Sequence, residues 1–423
     1  MEQQAKKRFL PVILGTDMNG YTMAASFHER YGIKPVMIGR APMRFTDGSS
    51  IIQKIHYNKN LSDNQAFLDY MKEIAQTYKQ TYDSLILIGA NDVYVNLIMT
   101  NKEALREDYL FNYVDPELRD QLFYKKNFYR LCEKYGVDIP HTHFYDCANP
   151  GAVPTDFDFP LIVKPSNVVA YQATGMHNTN KLYKVYSQEE LEQVIQTVVA
   201  GGYKDELIIQ DFIPGDDTYL WDSVYYANQD GEAQLITLAQ VVLQEHVPHL
   251  TGSYTAMIVR YDKEVMDNLV RLMQAIGYQG YGNFDMKYDP RDGKLKVFEV
   301  NLRQGRGSSY ISYCGHHLSE YLVDDLIYNK DKSLSYLKDE FLFTVVSKRV
   351  LRDFVEDEDI KEEVNELLKQ KKYANPLLYK GDKGFRRNLQ MWLRTQNYYR
   401  KYKEYGESFS PGNSTKEVKK ATT

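Results

Sequence analysis

The sequence predicts a mixed α/β and α+β chain. It reads as an opening α/β domain, a small central domain and a C-terminal domain of antiparallel strands. Three observations carry this. Phe9 to Leu14 is an apolar run followed by Gly15 and a helical pattern from about Gly20 to Tyr31, the strand–turn–helix opening of an α/β domain. The stretch Gly282 to Ser309 has two runs of alternating apolar residues around Asp289-Pro290-Arg291-Asp292-Gly293, the pattern of a β-hairpin. Finally, 423 residues exceed what one core holds, so two or three domains are expected.

Composition narrows the class. Hydrophobic residues at 43% and charged residues at 26% are ordinary for a globular protein. A net charge of -5 argues against nucleic acid as the main partner. Cys132, Cys147 and Cys314 have no paired spacing, which excludes a disulfide or zinc framework and suits a reducing compartment. The opening MEQQAKKRFLPVILG has an apolar run too short for a signal peptide, and no run approaches a membrane span. A cytoplasmic location is expected.

Taken in order, Val36 to Ile38 reads as a second strand, Ala66 to Tyr78 as a helix and Ser84 to Ile88 as a buried strand. Gly15 to Gly20 has the glycines of a phosphate loop, but Tyr21 stands where its lysine belongs, and the third glycine of a dinucleotide fingerprint is missing. Asn91 and Asp92 follow the Ser84 strand, where they either shape a turn or touch substrate. Residues 1–115 form the expected N-terminal α/β domain.

Leu122 to Tyr135 reads as one helix carrying Lys125. Asp158 to Pro165 is a buried strand with Lys164 at its end. A lysine there needs an anionic partner, either a structural carboxylate or a phosphate. Ser166 to Lys181 is polar and reads as a mobile loop over a ligand. Leu182 to Tyr186 is a strand, and Ser187 to Glu190 is a capping box for a helix to about Ala200. Residues 116–206 are the expected small central domain. Glu206 to Ile213 is a strand entering the turn Pro214-Gly215-Asp216-Asp217, and Leu220 to Ala227 pairs with Ala233 to Val242. Asp262 to Ile276, Ser319 to Tyr328 and Asp357 to Lys371 are helices, and Phe341 to Val346 is a strand. Residues 207–375 make the C-terminal domain. Residues 376–423 form a basic helix and tail, with eleven Lys or Arg against four Asp or Glu from Lys380 onward. Asn388 to Lys403 sets Leu389, Trp392, Leu393 and Tyr399 against Arg386, Arg387, Arg394 and Arg400. The expectation is that this aromatic stripe packs on the domain, with binding of a membrane surface or an anionic substrate as the alternative.

The hairpin carries the chemistry. Asp285 on one strand and Glu299 and Asn301 on the other fall on one polar face, with Phe284 and Met286 on the opposite face. Two carboxylates and an amide oxygen suit a hard cation such as Mg2+, which keeps phosphate oxygens in its shell. Arg303 and Arg306 add guanidinium forks for phosphate or carboxylate, and Gln304 to Ser309 add closely approachable backbone.

The succession Lys125, Lys164, Gln210-Asp211-Phe212-Ile213, Asp285, Glu299, Asn301 resembles the ATP-grasp superfamily of carboxylate–amine ligases. The strings VILGTDMNGY, IIQDFIPGDD, GNFDMKYDPRDG and FEVNLRQGR resemble, more narrowly, the D-aspartate ligases of Gram-positive cell-wall synthesis. The resemblance implies an ATP-grasp fold with a Rossmann-like N-terminal domain, a small central domain and a C-terminal antiparallel-sheet domain. It implies ATP and Mg2+ as cofactors. Lys125 and Lys164 would hold phosphates, Gln210 to Ile213 would meet adenine, and Asp217 would reach the ribose region. Asp285, Glu299 and Asn301 would bind Mg2+, with Arg303 and Arg306 as catalytic clamps. Many relatives carry arginine two residues before the first metal Asp; here Asn283 stands there, and Arg303 or Arg306 supplies the charge. The implied partners are D-aspartate and UDP-MurNAc-pentapeptide, for the peptidoglycan cross-bridge. The competing readings are a ligase for another acid or amine, a non-catalytic nucleotide-binding protein, and a dinucleotide oxidoreductase, which the missing fingerprint disfavours.

Overall fold

Phe9–Leu14 is buried at every position, as a parallel strand covered on both faces must be. It lies between Val36–Gly39 and Ser84–Gly89 in a four-stranded parallel sheet whose edge is Lys54–Tyr57. Gly15 follows with φ +119°, and a Cβ there would stand 2.7 Å from that of Ala90, so the first strand-to-helix turn requires glycine. Asp17 then caps the helix Met18–Tyr31 by accepting from the Gly20 amide. A computed structural model describes residues 8–175, 182–247, 250 and 252–405 of the chain. These divide into two compact units. One holds the residues through Arg119, Gly215–Asp285 and those from Val300 onward; the other holds Asp120–Pro214 and Met286–Glu299.

In the first unit the parallel sheet and a large mixed sheet share an apolar core. The large sheet runs in the order Lys294–Asn301, Gly280–Asp289, Leu220–Ala227, Leu238–Gln244, Tyr254–Arg260, Leu342–Thr344, Tyr373–Ala374. The expected single strand from Ala233 to Val242 is two, Ala233–Ile236 and Leu238–Gln244. Thr237 sits at the break, with its hydroxyl accepting from the Val224 amide and its carbonyl accepting from Ser223. The sequence gives no sign of this break, because the apolar run continues through it. The hairpin is the element both units share: its base belongs to the first, its tip from Met286 to Glu299 to the second.

The second unit has its own core and an antiparallel sheet in the order Thr142–Asp146, Glu206–Asp211, Leu161–Pro165, Tyr183–Val185. The helix expected from Leu122 to Tyr135 is broken: Pro116–Phe123 and Lys125–Lys134 are separate, and Tyr124 between them has extended backbone. Lys125 therefore opens a helix rather than riding in the middle of one. The polar stretch after Lys164 begins with a short helix, Val168–Ala173, capped by Asn167; residues 176–181 of the expected loop lie outside the described residues, as does the tail from Gly406.

The C-terminal helix Phe385–Tyr405 packs on the first unit, but through a different face from the one expected. Its buried residues are Arg387, Met391, Thr395, Tyr398 and Tyr402, while Leu389, Trp392 and Leu393 are exposed. Arg387 decides this. It lies 3.4 Å over the ring of Tyr21, donates to the carbonyls of Phe45 (2.6 Å) and Leu377 (2.9 Å), and stands 3.6 Å from the buried Asp382. The side chains of Tyr398 and Tyr402 reach Glu245 and the Gln244 carbonyl. Hydrophobicity alone placed the seam on the wrong side because these buried groups are polar at their tips.

Arg387→Ala should strip a buried cation from Asp382 and lower unfolding free energy by about 3–5 kcal/mol. Arg400→Ala, on the exposed side, should stay within about 0.5 kcal/mol. Urea midpoints of the two variants decide it; equal midpoints would contradict the anchoring role.

Candidate functional site

In the second unit, the strand Leu161–Pro165 delivers Lys164 from an apolar run. Its ammonium donates to the Gln210 side chain at 3.4 Å. Lys125, at the start of its helix, pairs with Glu299 at 3.1 Å. Burial pushes the Lys164 pKa down to about 7; the nearby charge of Lys125 pushes the same way, and Glu299 pulls against both. Glu299 thus pairs with one lysine and acts on the other through its charge alone. Gln210 is buried and held by Tyr129 (3.0 Å) and Thr142 (2.9 Å), so its amide is fixed by hydrogen bonds on neighbouring elements. Lys184 stands 3.6 Å over the face of Phe212. Asp211 has its carboxyl raised by burial, with Arg291 at 3.4 Å as its main cation. Ile213 is buried.

In the first unit, Asp285 accepts from Tyr254 (2.9 Å) on one oxygen and from Asn301 (2.9 Å) on the other. Arg303 is held by Asp92 through two hydrogen bonds of 2.7 and 3.0 Å, and reaches the Asn301 oxygen at 3.3 Å. Asp92 was open between a turn and a substrate role; it orients this arginine, while Asn91 caps the following helix. Arg306 stands 3.9 Å from the buried Glu245, which also takes a hydrogen bond from Tyr398 at 2.7 Å. Asp217 accepts from the Gln244 amide and side chain and from His246, so its carboxylate is engaged within the first unit. Ser308 donates to the Gly305 carbonyl and closes a turn.

Sequence reasoning missed Asp222. It lies inside the strand Leu220–Ala227, almost wholly buried, and accepts from Asn283 at 2.6 Å. Its carboxyl is pushed up to about 7, first by burial and then by the negative charge of Asp285. Asn283 supplies a neutral amide to this carboxylate. A single carboxylate beside Ser223 in a strand reads as a surface residue, so the sequence did not point to it.

These side chains fit a hard divalent cation by donor chemistry. In the first unit, Asp285 and Asn301 offer side-chain oxygens, and the Asp222–Asp285 repulsion is a negative charge in excess. Among the described residues there is no group of three or more His, Cys, Asp or Glu that could hold a metal ion.

No family model matches the chain. A curated relative, the D-aspartate ligase of Enterococcus faecium, is 29% identical over 415 residues, covering 96% of this chain and 98% of that protein. Among solved structures, the L-amino acid ligase from Bacillus licheniformis matches with a TM-score of 0.51 at 17% identity, over 76% of this chain and 75% of that one. The ADP complex of N5-carboxyaminoimidazole ribonucleotide synthetase matches with a TM-score of 0.54 at 13% identity, over 86% of each chain. The chain has the ATP-grasp fold of these solved structures and, over nearly its full length, is similar to a D-aspartate ligase.

Proposed function

We propose that the chain activates the β-carboxylate of D-aspartate and joins it to the ε-amine of the stem-peptide lysine of UDP-MurNAc-pentapeptide, for the peptidoglycan cross-bridge. The observation that carries this reading is the extent of the similarity: 98% of the D-aspartate ligase has a counterpart here. In this reading the enzyme acts in the cytoplasm.

The chemistry asks for what the residues offer. A carboxylate cannot be attacked by an amine directly, because oxide would have to leave. Transfer of the γ-phosphate from ATP to a carboxylate oxygen releases ADP and gives an acyl phosphate. Attack of the amine on the acyl carbon then releases phosphate, carrying that oxygen, and the amine proton is lost to solvent or base. Neither step needs a protein nucleophile; both need positioned charge. Lys125 and Lys164 hold phosphate oxygens. Gln210, Asp211, Phe212 and Ile213 meet the adenine, and Asp217 reaches the ribose region. Asp285, Glu299 and Asn301 hold Mg2+, which when bound offsets the negative charge of the phosphates. Arg303, oriented by Asp92, and Arg306 clamp the acyl phosphate or the acid.

ADP release with Mg-ATP across D- and L-amino acids, with and without UDP-MurNAc-pentapeptide, tests the substrate assignment. Turnover requiring D-aspartate, with one aspartyl residue added to the precursor by mass spectrometry, is the expected result. Turnover with another acid would move the specificity and keep the mechanism; no ADP with any acid would favour a non-catalytic nucleotide-binding role. Asp285→Asn should lower kcat at least about 100-fold and raise the Mg2+ needed for half-activity. An unchanged Mg2+ dependence would remove Asp285 from the metal.

Lys164 gives a pH signature. Its free pKa of about 7 leaves it mostly neutral above that pH, and bound phosphate favours the ammonium. Nucleotide binding should therefore take up a proton between pH 7.5 and 9, and affinity should fall by up to about tenfold per pH unit in that range. Calorimetry in buffers of different ionisation enthalpy reads the uptake, and Lys164→Met should abolish it. Binding without uptake would place Lys164 away from the phosphates.

A further inference from the structure

The outward face of the C-terminal helix has no role in the reaction above. Phe385, Leu389, Trp392 and Leu393 are 78%, 46%, 50% and 52% exposed. Their spacing is i, i+4, i+7, i+8, which puts them on one stripe of the helix. Continuing the same turn angle, Gln396, Arg400 and Lys403 extend that stripe, and Arg386 borders it; the whole set spans about 120° of arc. Arg386, Arg400 and Lys403 are exposed and make no ion pair among the described residues. The helix carries Arg386 and Arg387 in its first turn with no acidic residue there, the unfavourable sign for a helix amino terminus. Arg387 is explained by its buried contacts; Arg386 is not. Six cations against one carboxylate on this helix also stand apart from a chain whose net charge is -5.

We propose that this face docks on a membrane surface containing anionic phospholipid. No helix among the described residues is long and apolar enough to cross a membrane, so the contact would be peripheral. Phe385, Leu389, Trp392 and Leu393 would enter the headgroup–acyl boundary, where Trp and Phe are favoured. Arg386, Arg400 and Lys403 would lie against phosphate groups. Charge complementarity selects this occupant over a second copy of the chain, since two copies meeting through this face would bring like charges together. The opposite face of the helix holds it to the first unit through Arg387, Tyr398 and Tyr402, so the docking stripe is presented without unfolding anything. The proposal is independent of the ligase reading.

The full chain is sedimented with vesicles of phosphatidylcholine alone and with about one third phosphatidylglycerol. Expected is binding to the anionic vesicles only, weakened by salt. With Trp221→Phe, Trp392 is the sole tryptophan of the chain, and its emission should shift to the blue on binding. Leu389→Ser/Leu393→Ser and Arg386→Glu/Arg400→Glu should each weaken binding at least about tenfold, with circular dichroism and thermal midpoint unchanged. The charge pair is wholly on the surface, so it remains informative if the apolar pair unfolds. Absence of binding to anionic vesicles overturns the proposal. So does binding undiminished in the charge variant, or a dimer in sedimentation velocity that the apolar variant dissociates.

Discussion

Lys164 ends a buried strand and feels the charges of Lys125 and of Glu299, the carboxylate that pairs with Lys125. Burial, with the charge of Lys125 as the second cause, lowers the Lys164 pKa to about 7. The first unit has the reverse problem. Asp222 is buried next to the charge of Asp285, and its partner Asn283 is neutral, so it holds a proton near pH 7. One cluster calls for an anion and the other for a cation. Phosphoryl transfer, the proposed chemistry, uses fixed charges of this kind without needing a protein nucleophile.

The scaffold is organised to hold those charges still. Lys125 opens a helix because the chain breaks at Tyr124. Gln210 is locked by Tyr129 and Thr142. Arg303 is held by both oxygens of Asp92, and Asp285 by Tyr254 and Asn301. Long, flexible side chains lose little further entropy on meeting a ligand when their partners have already fixed them. Arg387 does comparable work for the C-terminal helix, whose buried tyrosines reach Glu245 and through it the neighbourhood of Arg306.

Much of this was legible in the chain. The strands Phe9–Leu14 and Leu220–Ala227 and the hairpin around Pro290 were readable because their apolar periodicity is unbroken. Lys164 was readable because a lysine ending an apolar run is costly without a partner. What escaped notice depended on side-chain partners that periodicity does not encode. The break at Thr237 rests on a threonine hydroxyl that bonds backbone across the sheet. The seam of the C-terminal helix was misplaced because an arginine over a tyrosine ring and two hydrogen-bonded tyrosines outcompete Leu389, Trp392 and Leu393 for burial. Asp222 was passed over because a single carboxylate in a strand is usually at the surface, and only the fold reveals that this one is inside.

In the proposed reaction the carboxylate is activated by phosphorylation before the amine attacks. Labelling the β-carboxylate of D-aspartate with 18O and reading the released phosphate by 31P NMR tests it most directly. Transfer of one 18O atom into phosphate per turnover is the expected result, since the acyl phosphate leaves with that oxygen. Ligation that releases only unlabelled phosphate would contradict the account, because the oxygen would then have stayed with the acid.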